Sequence, residues 1–216
     1  VQQGFDVECA PAPAGDDAPP PAPLRDPELL LERTLAARNP REDLWVFGYA
    51  SLIWRPEFHA AEQRTARIHG HHRALQMRSR INRGTPQQPG LVFALVSGGS
   101  CAGMVYRIER ERAEAELRRL WLREMPTGVY DPKWLLCRTP HGPVSALAFT
   151  LNRCSPNYTG TLDEETLLTV LRHARGRYGS TLDYLLETAR CLHQRGIRDA
   201  AIERHLALAR RHGLAT

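Results

Sequence analysis

The chain has 216 residues, 42% of them apolar and 25% charged, the balance of a globular protein rather than a disordered one. No run approaches eighteen apolar residues, so no membrane-spanning helix is expected, and no basic segment leads into an apolar core as a secretory leader would. Basic residues outnumber acidic ones 29 to 24, for a net charge of +5. That excess permits binding of nucleic acid or of small anions without choosing between them.

Residues 9–24 hold eleven alanines and prolines in sixteen positions and read as an extended, flexible linker. The first 24 residues carry four acidic and no basic side chains, which leaves +9 on the rest. Asp26 as N-cap and Pro27 at the first helical position predict a short helix over 27–38. Residues 1–40 are therefore expected to form an N-terminal extension, and 41–216 the domain proper. Apolar segments broken by turn residues predict strands at 44–49, 64–77, 90–96, 100–109, 133–139 and 143–151. Leu117, Leu120 and Trp121 at helical spacing predict a helix over 110–124. Beyond Asn157 the pattern turns helical, with Thr161 and Glu164 as a capping box and further helices near 181–195 and 199–212, each stopped by glycine. Strands first and helices after give an α+β fold with a mostly β core.

The five cysteines (Cys9, Cys101, Cys137, Cys154 and Cys191) are scattered and never spaced C-x-x-C, so neither a disulfide framework nor a zinc knuckle is expected. A reducing cytoplasm is the simplest compartment. His69 and His71 would share a strand face, but no acidic or cysteine partner accompanies them, and no metal is expected there. The arginines of the C-terminal helices lack interleaved aromatic platforms, which speaks against nucleic acid as a partner.

Two segments can carry chemistry. In FGYASLIW (47–54) a strand runs into a small-residue turn whose backbone can approach a ligand closely, although the same residues also fit an ordinary packed strand end. In LWLREMPTGVY (120–130), Glu124 ends a helix behind an apolar run. Desolvation there would raise its pKa and suit it to proton transfer near neutral pH. The alternative pairs Glu124 with Arg123 or another nearby arginine on the surface.

In order, LWVFGYASLIWRPEF, NRGTPQQPG, LWLREMPTGVYDPKW, SPNYTG and GSTLDYLL resemble the ChaC family of glutathione-specific γ-glutamylcyclotransferases, from about Leu44 to the C-terminal helices. The resemblance implies a small mixed β-barrel with surrounding helices and cyclisation of the γ-glutamyl residue of glutathione to 5-oxoproline, with release of Cys-Gly. It implies no metal or organic cofactor, with glutathione as the small-molecule partner, and neither a nucleic acid nor a membrane. The family's catalytic glutamate falls on Glu124. Its substrate loop falls on Tyr49, Ala50, Ser51 and Leu52, at the end of the strand residues Val46, Phe47 and Gly48. Tyr158 matches a family tyrosine expected near the substrate, and Arg83 is a candidate partner for a peptide carboxylate. Ala50 stands where the family has glycine. A positive φ there would cost about 1–2 kcal/mol, and a negative φ nothing. Two rivals remain: the same chemistry on another γ-glutamyl amine, and a catalytically silent basic binding module.

Overall fold

The computed structural model describes residues 25–215. Residues 1–24, which contain the expected linker, lie outside the described residues. Five strands, β1 (Leu44–Gly48), β2 (Glu62–Ser79), β3 (Gly90–Ile108), β4 (Asp131–Thr139) and β5 (Gly142–Thr150), close into a barrel in the order β1-β3-β2-β4-β5. The neighbours in that order run antiparallel, and the parallel pairing of β1 with β5 at Val46 and Leu147 completes the ring. Closure leaves no exposed sheet edge and turns alternate apolar side chains inward. Val46, Phe47, Ile68, Leu95, Val105 and Leu147 are completely buried. The α+β barrel expected from the sequence is the fold observed.

Among the described residues six helices surround the barrel: α1 (Pro27–Ala36), α2 (Ser51–Trp54), α3 (Arg110–Glu124), α4 (Glu164–His173), α5 (Thr181–Gln194) and α6 (Ala200–Arg211). α1 begins as expected, with Asp26 accepting from the N–H of Glu28 at 2.9 Å. It packs on α3, where the Trp121 indole N–H donates to the Pro27 carbonyl at 2.7 Å. Gly196 and Gly213, at φ of +67° and +66°, follow α5 and α6 in the left-handed conformation that ends helices. Among the described residues no helix is long and apolar enough to cross a membrane.

Three local expectations are corrected. The segments 90–96 and 100–109 are one strand. Gly98 and Gly99 do not reverse the chain; with Gly70 opposite them they form an irregularity between the pairs His69–Ser100 and His71–Ser97. A bulge bends a long strand pair round a barrel corner where a turn would have ended it. The cap of α4 is Asp163 rather than Thr161, its carboxylate accepting from the N–H of Thr166 at 2.8 Å. The reciprocal capping box lies instead at the start of α5, between Ser180 and Asp183, behind the small hairpin of β6 (Arg175–Gly176) and β7 (Gly179–Ser180).

Candidate active site

A cleft of about 1080 Å³ opens beside the barrel. The ends of β1 and α3, the loop from α3 into β4, the end of β2 and the start of α5 supply its walls. Its position follows from where regular structure stops.

β1 delivers the first wall. After Gly48 the strand gives way to Tyr49 and Ala50, and one helical turn follows as α2. Ala50 has a φ of −146°, so the position makes no left-handed demand and alanine fits it. No side chain caps α2, and the first N–H groups of a helical turn have no acceptor within it. Behind the turn lies Arg73, whose side chain is wholly buried. Its Nε donates to the Tyr49 carbonyl at 2.5 Å and its Nη2 to the Ala102 carbonyl at 2.6 Å, while Nη1 pairs with Asp199, the N-cap of α6.

α3 delivers Glu124 on its last turn. The helix stops there because Pro126 follows and Gly128, at φ +62°, turns the chain. A Cβ on Gly128 would lie 2.4 Å from the Arg25 carbonyl, so only glycine allows this crossing. The Glu124 side chain is 14% exposed and contacts Arg123 Nε at 3.0 Å. Burial pushes its pKa up; Arg123 beside it pulls down, and the carboxylate of Glu57 pushes up again. The two readings drawn from the sequence therefore hold together: Glu124 is both desolvated and paired with Arg123, inside the cleft.

Tyrosines form the floor. Tyr49, Tyr130 and Tyr184 line the cleft, and burial drives all three phenols well above their usual pKa. They stay neutral hydrogen-bond donors at any physiological pH. The hydroxyl of Tyr184 accepts the Phe93 N–H at 3.3 Å.

Arginines line the cleft as well: Arg55, Arg78, Arg80, Arg83, Arg123 and Arg177. Arg83 lies over the Tyr184 ring at 5.1 Å and donates to the Tyr178 carbonyl; among the described residues no carboxylate lies within ion-pair distance of it.

The structure thus gathers Glu124, Tyr49, Ala50, Ser51, Leu52 and Arg83 around one space. It does not bring Val46, Phe47 and Gly48 there. The side chains of Val46 and Phe47 are completely buried on opposite faces of the sheet, and the backbone of all three residues is paired with β3. Tyr158 does not line the cleft either. It pairs with Met77 in a backbone bridge and packs against the core, while its neighbours Met77 and Asn157 line the cleft. The sequence reading gave no role to Tyr130, Tyr184 or Glu57. The first two sit in the quoted segments LWLREMPTGVYDPKW and GSTLDYLL, where an isolated tyrosine reads equally well as core. His69 and His71 flank the bulge rather than sharing a site, and among the described residues no three His, Cys, Asp or Glu side chains gather to hold a metal ion.

Comparison with known proteins agrees with this fold. The family model described as ChaC-like protein matches residues 44–212. A glutathione-specific γ-glutamylcyclotransferase of Escherichia coli K12 is 36% identical over 170 residues, covering 78% of this chain and 74% of the relative. Glutathione-specific γ-glutamylcyclotransferase 1 of Homo sapiens is 33% identical over 173 residues, covering 76% and 78%. In fold, the crystal structure of a γ-glutamyl cyclotransferase specific to glutathione from yeast superposes with a TM-score of 0.70 at 22% identity, over 78% of this chain and 96% of that one. With the family model spanning most of the chain and the barrel in place, this protein belongs to the ChaC family.

Proposed function

We propose that the cleft cyclises the γ-glutamyl residue of glutathione, releasing 5-oxoproline and cysteinylglycine, with Glu124 as the proton carrier. The observation that carries this reading is a desolvated carboxylate, Glu124, in a cleft that is also lined by three buried tyrosines and several arginines. Glutathione bears an ammonium and a carboxylate at its γ-glutamyl head and a second carboxylate at its glycyl end, groups that a cleft holding both a carboxylate and arginines can pair.

The nucleophile and electrophile belong to one molecule, so the protein has to fold the head onto itself and move protons. At neutral pH the α-amine is an ammonium and cannot attack. Glu124, ionised, takes a proton from it; the freed lone pair forms the bond to the γ-carbonyl carbon. As the intermediate collapses, protonated Glu124 gives its proton to the cysteinyl nitrogen and the bond from the γ-carbon to that nitrogen breaks. The regenerated carboxylate takes the second proton from the ring nitrogen and passes it to the released amine. No net proton is consumed. A carboxyl with a raised pKa serves both as base and as acid. Oxyanion stabilisation falls to the uncapped N–H groups at the start of α2 and to the neutral tyrosine hydroxyls, donors fixed before the charge develops. Arg83 is the partner for a peptide carboxylate, since its guanidinium is stacked and has no acidic neighbour in ion-pair reach among the described residues.

The reading uses no metal or organic cofactor, takes 41–216 as the catalytic domain with α1 docked on it, and assigns the protein to the cytoplasm. Many arginines away from the cleft are already paired, as Arg107 is with Asp43 and Glu62, which weakens the rival basic module. The test is mass spectrometry of purified protein incubated with glutathione and, separately, with γ-glutamyl amino acids. 5-Oxoproline from glutathione alone supports the reading. 5-Oxoproline from the amino acid derivatives alone favours another γ-glutamyl amine, and none from either removes the proposal.

A further inference from the structure

Glu57 is the one residue other than glycine, among the described residues, with a positive φ, at +57°. A side chain with a Cβ adopts that left-handed backbone rarely, and such conformations collect where a site requires them. Here the conformation sets a carboxylate on the cleft wall between two arginines. Glu57 Oε1 accepts from Arg55 Nε at 2.5 Å and Oε2 from Arg123 Nη1 at 3.2 Å. The same Arg123 contacts Glu124 through Nε at 3.0 Å, Ser51 Oγ through Nη2 at 3.1 Å, and the Arg55 carbonyl. One guanidinium is therefore divided between two carboxylates that arrive on different elements, the end of α3 and the segment after α2.

We propose that Glu57 is a positioning residue of the cyclotransferase reaction: by sharing Arg123 it orients Glu124 while keeping that carboxylate basic enough to carry protons. The inference rests on the reading of Glu124 as the base. An undivided Arg123 would hold Glu124 as a closed ion pair, a poor base for an ammonium; without Arg123 the carboxylate would have no fixed direction.

The groups facing Glu124 are few. Arg123 comes from α3, Glu57 from the segment after α2, Tyr49 from the end of β1, Tyr130 from the loop into β4 and Tyr184 from α5. The tyrosines remain neutral, so Arg123 and Glu57 carry the charge. Removing the Glu57 carboxylate subtracts a like charge and releases Arg123 to Glu124. Both changes make Glu124 more acidic. Because a base must be ionised to act, the acidic limb of kcat/KM then moves to lower pH. Glu57 is 39% exposed and solvent screens it, so a shift of roughly half a unit to one unit is expected.

The experiment records kcat/KM for glutathione against pH in wild type, Glu57→Gln and Glu57→Gly, beside Glu124→Gln. Glu57→Gly guards against misfolding, because glycine accepts φ of +57° without strain; its Tm should hold or rise. Both Glu57 variants are expected to shift the limb downward together and to lower kcat several-fold. A limb that stays in place in both, with Glu124→Gln inactive, overturns the role of Glu57 and leaves Glu124 as the base. A folded Glu124→Gln that still turns over glutathione removes the base and this inference with it.

Discussion

Two arginines grip the same turn from opposite sides, and their surroundings differ. Arg73, behind Tyr49, is sealed in the barrel wall with two carbonyls and one carboxylate, all fixed. Arg123, in front of Ser51, is 19% exposed and faces two carboxylates that compete for it. A guanidinium with every donor satisfied by rigid partners is a structural rivet. One shared between two carboxylates beside a cleft leaves a charge balance that a substrate or a proton can disturb. The rear of the turn is built for stability and the front for chemistry.

The sharpest break in that comparison is Glu124→Gln, which alters the front alone. Glutamine keeps the size of the side chain but takes no proton, so turnover should fall by about 10²–10⁴ at saturating glutathione. Melting should change little, because a buried charge is removed without emptying its place. The wild-type acidic limb should sit above the ordinary glutamate range, since burial raises Glu124, and the variant should lose that limb. Measured 5-oxoproline release within a few-fold of wild type would refute the assignment.

Arg73→Met reverses the pattern by damaging the rear. It strands Asp199, whose side chain is 17% exposed, and leaves the Tyr49 and Ala102 carbonyls without their donor. Breaking a buried pair from one side typically destabilises by about 3–5 kcal/mol. In a chain of this size that lowers Tm by roughly 6–20 °C. The expected sign of the comparison is a large thermal loss with an acidic limb that stays where it was in the surviving folded fraction. An unchanged Tm would mean that Arg73 is not the rivet described.

How much of this was readable in advance depends on the kind of signal. Glu124 announces itself because an apolar run leads to a carboxylate and a proline closes the helix. The turn at Tyr49–Ala50–Ser51 is visible as small residues after a strand. Arg73 and Asp199 carry no such mark, since nothing local pairs a strand arginine with a helix cap far along the chain. Glu57 is less legible still: a left-handed backbone is expected of glycine or asparagine, and tertiary contacts alone hold a glutamate there. The glycines at 98 and 99 misled in the opposite direction, because a bulge and a turn use the same residue for the same freedom.

Arg83→Ala sharpens the comparison from another arginine of the cleft, where neither rate nor rivet is at stake. A charged hydrogen bond to a substrate carboxylate is worth about 1.5–3 kcal/mol. KM for glutathione should rise by roughly ten- to a hundredfold with kcat little changed. A fall in kcat at constant KM would place Arg83 with the chemistry rather than with binding.

Ala50→Gly is the smallest test, and it probes the hinge point between the two arginines. At φ −146° the backbone makes no left-handed demand that would call for glycine. Glycine does add freedom to the unfolded chain, which costs about 0.4–1 kcal/mol where the native conformation suits both residues. Ala50 is 4% exposed and its methyl is packed, so a small loss of burial adds to that figure. The N–H groups that open α2 are unaffected, because glycine donates as alanine does. Tm should therefore fall by a few degrees while KM and kcat stay within about twofold of wild type, a change of under ~0.5 kcal/mol. A clear gain in affinity would mean that the methyl obstructs the γ-glutamyl head. The front of the turn would then be limited by the space at residue 50 rather than by the charges held on Arg123.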